Sequence, residues 1–133
     1  MYLIVMDEKE LSSLRKKADE FLNSPDYYYL LDENKKPYKC TLREWGEWFQ
    51  ESRSDDRRRV AEEEIDGKRI STVFLGMDHN LYGEGRPLIF ETMVFDEEGH
   101  DIYMNRYSIW EESLIGHEKA KEWVKNGCKD EEN

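Results

Sequence analysis

Asp66-Gly67 lies between two stretches rich in β-branched residues, Val60 to Ile65 and Lys68 to Leu75, and no other dipeptide limits the fold of this chain as strongly. A type I′ turn needs positive φ at both central positions, which Asp and Gly tolerate, so the two stretches are expected to pair as a hairpin. A two-residue loop also sets the register. Ile65 falls opposite Lys68, and Glu64 falls opposite Arg69 as a cross-strand pair of opposite charge.

The pattern continues downstream. Met77 to Pro87 contains Gly83, Gly85 and Pro87 and reads as a loop, Leu88 to Phe95 as a third strand, Asp96 to Asp101 as a turn and Ile102 to Tyr107 as a fourth strand. Pairing Phe95 with Ile102 sets Met93 opposite Met104 and Glu91 opposite Arg106, so one register matches apolar residues with apolar and acid with base. Ser108 to Glu111 has the form of a capping box opening a terminal helix, and Asn126-Gly127 closes it with a glycine suited to the left-handed position. That helix places Trp110, Leu114, His117, Lys121 and Val124 along one side, the side expected to cover the apolar face of the meander.

Ahead of the hairpin, Tyr2 to Met6 reads as a short strand, and Asp7 to Glu10 as a capping box opening a helix. Its stripe of Leu11, Leu14, Ala18, Phe21 and Leu22 ends at Asn23-Ser24-Pro25. Tyr27 to Leu31 suits another strand, Asp32 to Pro37 a turn, and Thr41 to Glu44 a second capping box before a helix with Leu42, Trp45, Trp48 and Phe49 on one side. Ser52 to Arg59 is a polar connection in which Arg53, Arg57, Arg58 and Arg59 are offset by neighbouring acids. The expected fold is α+β: one domain over 1–128, an antiparallel β-meander packed against a C-terminal helix, with two N-terminal helices and short strands before it, and a frayed acidic tail over 129–133.

Composition bounds the function. The 133 residues carry 20 Lys+Arg against 31 Asp+Glu, a net charge of −11, so non-specific and stable binding to nucleic acid is not expected. No apolar run approaches the roughly 18 residues of a membrane span, and the first six residues lack the basic flank and apolar length of a signal peptide, so a cytoplasmic protein is expected. Cys40 and Cys128 are far apart with no CxxC, which fits neither a disulfide framework nor a zinc site.

Chemistry is expected where ionisable residues interrupt the apolar pattern. Glu91 lies among apolar residues of the third strand, His117 lies on the apolar side of the terminal helix, and Asp78-His79 lies at the rim of the sheet. A carboxylate on such a face must be paired, hydrated or protonated. If the helix covers the sheet, His79, Glu91, Arg106 and His117 are expected to share a cavity. Tyr82, Tyr107 and Trp110 then offer stacking surfaces, and Arg86 and Arg106 offer forks for phosphate. The ligand-binding set is Asp78, His79, Tyr82, Arg86, Glu91, Arg106, Tyr107, Trp110 and His117. A hydrolase built on the same groups would use His79, Glu91 and His117 as catalytic residues, with or without a divalent metal. No HExxH or comparable signature is present, so neither a metal nor a cofactor is expected.

The segments Ile70-Ser71-Thr72-Val73-Phe74-Leu75-Gly76-Met77-Asp78-His79, Ile89 to Phe95 and Arg106-Tyr107-Ser108-Ile109-Trp110-Glu111-Glu112, followed by Gly116-His117, resemble a family of small proteins carried by tailed bacteriophages, over residues 57–118. Those proteins have Thr where this chain has Ile109, Ala where it has Ser113, and a loop richer in Gly and Pro than Leu81 to Pro87. The resemblance implies a phage accessory product in the host cytoplasm and brings no reaction with it. By analogy of class, the leading expectation is an anti-defence protein, homo-oligomeric in its likeness to such factors, that sequesters a small nucleotide-derived or phosphorylated ligand. The alternatives are hydrolysis of such a ligand and occlusion of a host enzyme or defence component by the acidic surface.

Overall fold

In the computed structural model, residues 5–22, 27–52, 56–80 and 85–130 are described, 21 and 22 by their backbone alone. The chain is α+β, in the order α1 (Glu8–Leu22), β1 (Tyr28–Leu31), β2 (Pro37–Cys40), α2 (Leu42–Glu51), β3 (Arg59–Ile65), β4 (Lys68–Phe74), β5 (Phe90–Phe95), β6 (Asp101–Tyr107) and α3 (Trp110–Lys125). Strands β3 to β6 form one antiparallel sheet in sequence order, and β1 and β2 form a second. The expected Tyr2–Met6 strand falls largely outside the described residues, and Val5 and Met6 are not in a strand.

The hairpin has the register that its turn dictates. Asp66 and Gly67 both take positive φ, 51° and 78°, Ile65 faces Lys68, and Glu64 faces Arg69. Met93 faces Met104 and Glu91 faces Arg106 as the alternation required. Phe95 does not face Ile102, however. A bulge after Val94 puts Asp101 opposite Phe95, because the Asp96 carboxylate gathers the Glu98 and His100 amides into a tight turn and β6 takes up the surplus residue.

Two of the three expected caps start helices at the positions read, the second as a full capping box. Asp7 accepts from the Glu10 amide, and Thr41 and Glu44 exchange bonds across the first turn of α2. The third differs: the N-cap of α3 is Ile109, not Ser108, and Glu112 alone reaches back to the Ser108 and Ile109 amides at 3.2 and 3.3 Å. The helix ends as expected, with Gly127 at φ 75°.

α3 lies across all four strands, with Trp110, His117 and Val124 of the expected side turned to the sheet and Leu114 turned away from it. Its buried residues are Ser113, Gly116, His117, Ala120 and Val124, whereas Leu114 is exposed. Small residues let the helix sit close to the sheet. Ile70 and Val94 pack on Ala120 and Val124, while Phe74, Ile89, Phe90 and Tyr107 form a second cluster against Tyr29, Leu31, Trp48, Phe49 and Trp110. The N-terminal part joins here. Tyr28 bridges to Met77, the Trp45 indole donates to the Leu75 carbonyl at 3.1 Å, and Gly76, at φ 70°, leaves no room for a side chain beneath that indole. α1 meets α2 lightly, with Arg43 and Asp19 3.5 Å apart: Leu11 is half-buried, and Leu14 and Ala18 are exposed.

The closest approach is between Gly116 and Tyr107, since a Cβ at 116 would overlap the phenol ring and hydroxyl. Replacing a mid-helix glycine by alanine ordinarily stabilises by about 1 kcal/mol. Here overpacking reverses the sign, so Gly116→Ala is expected to cost about 1–3 kcal/mol, read as a lower urea midpoint at unchanged m-value.

Candidate functional site

A β-strand sends alternate side chains to opposite faces, and in this sheet that alternation divides the expected site. Ile70, Thr72, Phe74, Phe90, Thr92 and Val94 point under the helices and are buried. Glu91 and Arg106 point the other way. Their ion pair, 3.0 Å between Arg106 Nε and Glu91 Oε2, lies on the face that none of the described helices covers. His117 is sealed between α3 and the sheet, so the proposed common cavity of His79, Glu91, Arg106 and His117 is not formed.

His117 is nevertheless the centre of a continuous polar line. Its Nε2 lies 3.0 Å from a Glu63 carboxylate oxygen, its Nδ1 lies 2.7 Å from Thr72 Oγ1, and Thr72 Oγ1 lies 2.6 Å from Thr92 Oγ1. An ionised carboxylate only accepts, so Nε2 carries the proton. With the imidazole neutral, Nδ1 accepts from Thr72, and Thr72 accepts from Thr92. Lys121 closes the outer end on the second Glu63 oxygen at 3.0 Å. This is a Thr-His-Glu order, but Thr72 and Thr92 are fully buried and no substrate can reach either hydroxyl. Past Thr92, the buried Tyr107 hydroxyl makes no well-formed hydrogen bond among the described residues, and burial pushes its ionisation up against weaker opposing effects of Thr92 and Asn105.

The rim residues hold the loop. The Asp78 carboxylate accepts from the Asn80 and Leu88 amides, and Asn80 donates to the Arg86 carbonyl. Arg86 forks onto Glu112, with Nη1 3.1 Å from Oε2, which ties the loop to the start of α3 and holds that carboxyl below its usual range. His79 Nδ1 donates to the Met77 carbonyl at 2.9 Å, which fixes its tautomer and leaves Nε2 as the basic nitrogen. Tyr107 is part of the second core cluster, and Trp110 is half-buried against it with Lys35 Nζ 5.2 Å from its ring. Tyr82 lies outside the described residues.

Sequence reasoning passed over two groups. The first is the acid turn: Asp96, Glu98 and His100 bring their ligand atoms within 4.8 Å of one another. The Asp96 bonds to backbone amides account for that arrangement as a turn, and they hold its carboxyl below the usual range. The second group is basic. Arg57, Arg58 and Arg59 read as a self-compensating run, and Arg59 is one, with Asp56 at 3.5 Å and Glu62 at 3.2 Å. Arg57 and Arg58 instead lie over the Trp48 and Phe49 rings, at 5.6 and 5.0 Å. Among the described residues Arg58 has no carboxylate partner. It borders a hollow of about 340 Å³ with Trp45, Gly46, Phe49 and Gln50, and a second of about 180 Å³ beside Ser52 and Val73. The signal for this was present as two tryptophans three apart on a capped helix, followed by clustered arginines.

Comparison of the chain with protein-family models, curated proteins and solved structures finds no match.

Two outcomes follow from the polar line. Thr72→Val deprives His117 Nδ1 of its donor and Thr92 of its acceptor inside the core, and is expected to cost about 1–3 kcal/mol in urea unfolding. Glu63 is held below its usual 4.5, first by the Lys121 hydrogen bond, against partial desolvation, and then by His117. A depressed carboxyl stabilises the fold above its unfolded pKa and loses that contribution as pH falls through the native value. Lys121→Met is therefore expected to lower stability near neutrality and to flatten its decline below about pH 4.5, measured as unfolding midpoints across a pH series.

Proposed function

We propose that this chain is a non-catalytic binding protein that takes a small phosphorylated or nucleotide-derived ligand at the Arg58 hollow. The observation that supports the reading is Arg58 itself: a guanidinium laid on an aromatic ring and, among the described residues, without a carboxylate partner, on a chain of net charge −11. A weakly hydrated, planar cation with its edge free is a fork for phosphate, and the Trp45 and Phe49 rings beside it suit a base. A hollow near 340 Å³ is within the range of small-ligand sites.

Capture rather than turnover is favoured because the His117 nitrogens are both committed inside the core and Glu91 is given to Arg106. Joined to the resemblance of residues 57–118 to phage proteins, this reading makes the chain a phage accessory, anti-defence factor that withholds a signal molecule in the host cytoplasm. Sequestration needs only affinity and abundance. Adenosine monophosphate and inorganic pyrophosphate are the probes, with tryptophan fluorescence and calorimetry as readouts. A saturable change is expected with intact nucleotide recovered afterwards, and Arg58→Ala is expected to weaken binding about tenfold or more, the loss of one charge-assisted contact. Absence of saturation by either probe, or equal binding by Arg58→Ala, refutes the reading.

A further inference from the structure

The face of the sheet opposite α3 is built in a way that the ligand reading does not use. Across β3 to β6 it presents three rows. Glu64, Arg69, Phe95 and Asp101 form the first, Glu62, Ser71, Met93 and Met104 the second, and Arg59, Val73, Glu91 and Arg106 the third. Ser71, Val73, Met93 and Phe95 are only half-buried and Met104 is 50% exposed, so apolar surface is left in the middle of the face. Glu62 bonds Arg69 at 2.8 Å and Arg59 at 3.2 Å, the Arg69 guanidinium lies 4.5 Å from the Phe95 ring, and Glu91 holds Arg106.

The charges identify the occupant. The three rows hold Arg59, Arg69 and Arg106 against Glu62, Glu64 and Glu91, with Asp101 at the margin, on a chain whose net charge is −11. Nearly all of the acidic excess therefore lies elsewhere. Two like chains repel through most of their surface and can approach where the field is close to neutral. A basic partner would be drawn to the acidic remainder in preference to this face, and a nucleic acid would be repelled by it.

We propose that the open sheet face is the interface of a homodimer, two copies packing face to face about a twofold axis that runs across the strands through the second row. That axis lays Met93 on Met93 and Met104 on Met104 of the two copies. It brings the first row of one copy over the third row of the other, so that Glu64 meets Arg59, Asp101 meets Arg106, and Arg69 meets Val73 with Glu91 on the diagonal. The charges of the first and third rows fall near their opposites in an isologous contact, Glu62 lies over its own copy with its charge held by Arg59 and Arg69, and the sheets take the aligned packing of a sandwich. The face measures roughly 20 by 20 Å, from strand spacings of about 4.8 Å and rises of about 3.3 Å per residue. Such an area is at the low end for a specific dimer, so the association is expected to be micromolar. The inference does not depend on the ligand proposal.

The test is light scattering with sedimentation, on the purified full chain, from about 1 to about 100 µM, the range in which a micromolar dimer dissociates. A concentration-dependent dimer is expected, with Met104→Arg raising its dissociation constant at least about tenfold at unchanged circular dichroism. Leu114→Arg, on the exposed side of α3, is expected to leave the dimer intact. Glu64→Arg and Arg59→Glu are each expected to be monomeric alone, and an equimolar mixture to recover a heterodimer, since mixing restores both cross-copy pairs. A monomer throughout the range, a dimer that Met104→Arg leaves unchanged, equal loss in Leu114→Arg, or no recovery on mixing overturns the proposal. Monomers that gain mass only with added cell extract assign the face to another protein and overturn it equally.

Discussion

The structure depends on how closely α3 lies on the sheet. A four-stranded meander has no stability of its own until one face is covered, and α3 covers it with small side chains, Ser113, Gly116 and Ala120, instead of with a leucine ridge. The missing volume is filled from below by the Tyr107 ring beneath Gly116 and by His117, Thr72 and Thr92 beside it. The consequence is a polar line through an apolar interface, which is tolerable only because every member but the Tyr107 hydroxyl finds a partner. The line ends on Glu63 and Lys121 at the edge strand, where both ions keep partial contact with water. It works as a register device: sliding the helix by one turn would leave an imidazole and two hydroxyls unpaired at once.

The second dependence is between the two halves of the chain. The β1–β2 hairpin and α2 bury few residues of their own and are held by aromatic contacts onto the end of the sheet. Trp45, Phe49, Trp48, Phe74, Phe90 and Trp110 follow one another with ring centroids 4.4 to 6.5 Å apart. Arg57 and Arg58 cap this run from the start of β3. The larger Arg58 hollow is therefore walled by α2 and by Arg58 ahead of β3, and the smaller one beside it lies between α2 and β4.

Much of the fold was legible because its signals were local or periodic. Asp66-Gly67 set one register, and period-two matching set Met93 against Met104 and Glu91 against Arg106. What failed involved competition between signals. Ser108 has the better N-cap side chain, yet the chain direction fixed by Tyr107 in the core leaves Ile109 at that position. Leu114 reads as a core residue by size, but a bulky side chain cannot face a sheet that Gly116 approaches so closely. The shared cavity failed for a reason already present in the strand: Glu91 and Thr92 are neighbours and must point to opposite faces, so whatever His117 touches, Glu91 cannot. The partners of His117, Thr72 and Thr92, were readable as inward hydroxyls in adjacent strands once their parity was taken seriously.

The arginines at 57, 58 and 59 show why a charge run cannot be read as a unit. Strand β3 begins at Arg59, which a bulge between it and Ala61 turns to the open face, where Glu62 serves both it and Arg69. Arg58, one residue before the strand, lies on the α2 side over the Phe49 ring. A guanidinium over a ring retains free donors at its edge, whereas one shared between carboxylates does not. One residue of sequence separation thus sorts the run into a cation paired on the sheet surface and a cation that has, among the described residues, no carboxylate partner and borders an aromatic hollow. The acidic excess of the rest of the molecule gives the second its significance: on a chain that repels anions almost everywhere, an anion can be held only where an arginine has kept its donors free and where a nearby ring excludes water from the contact.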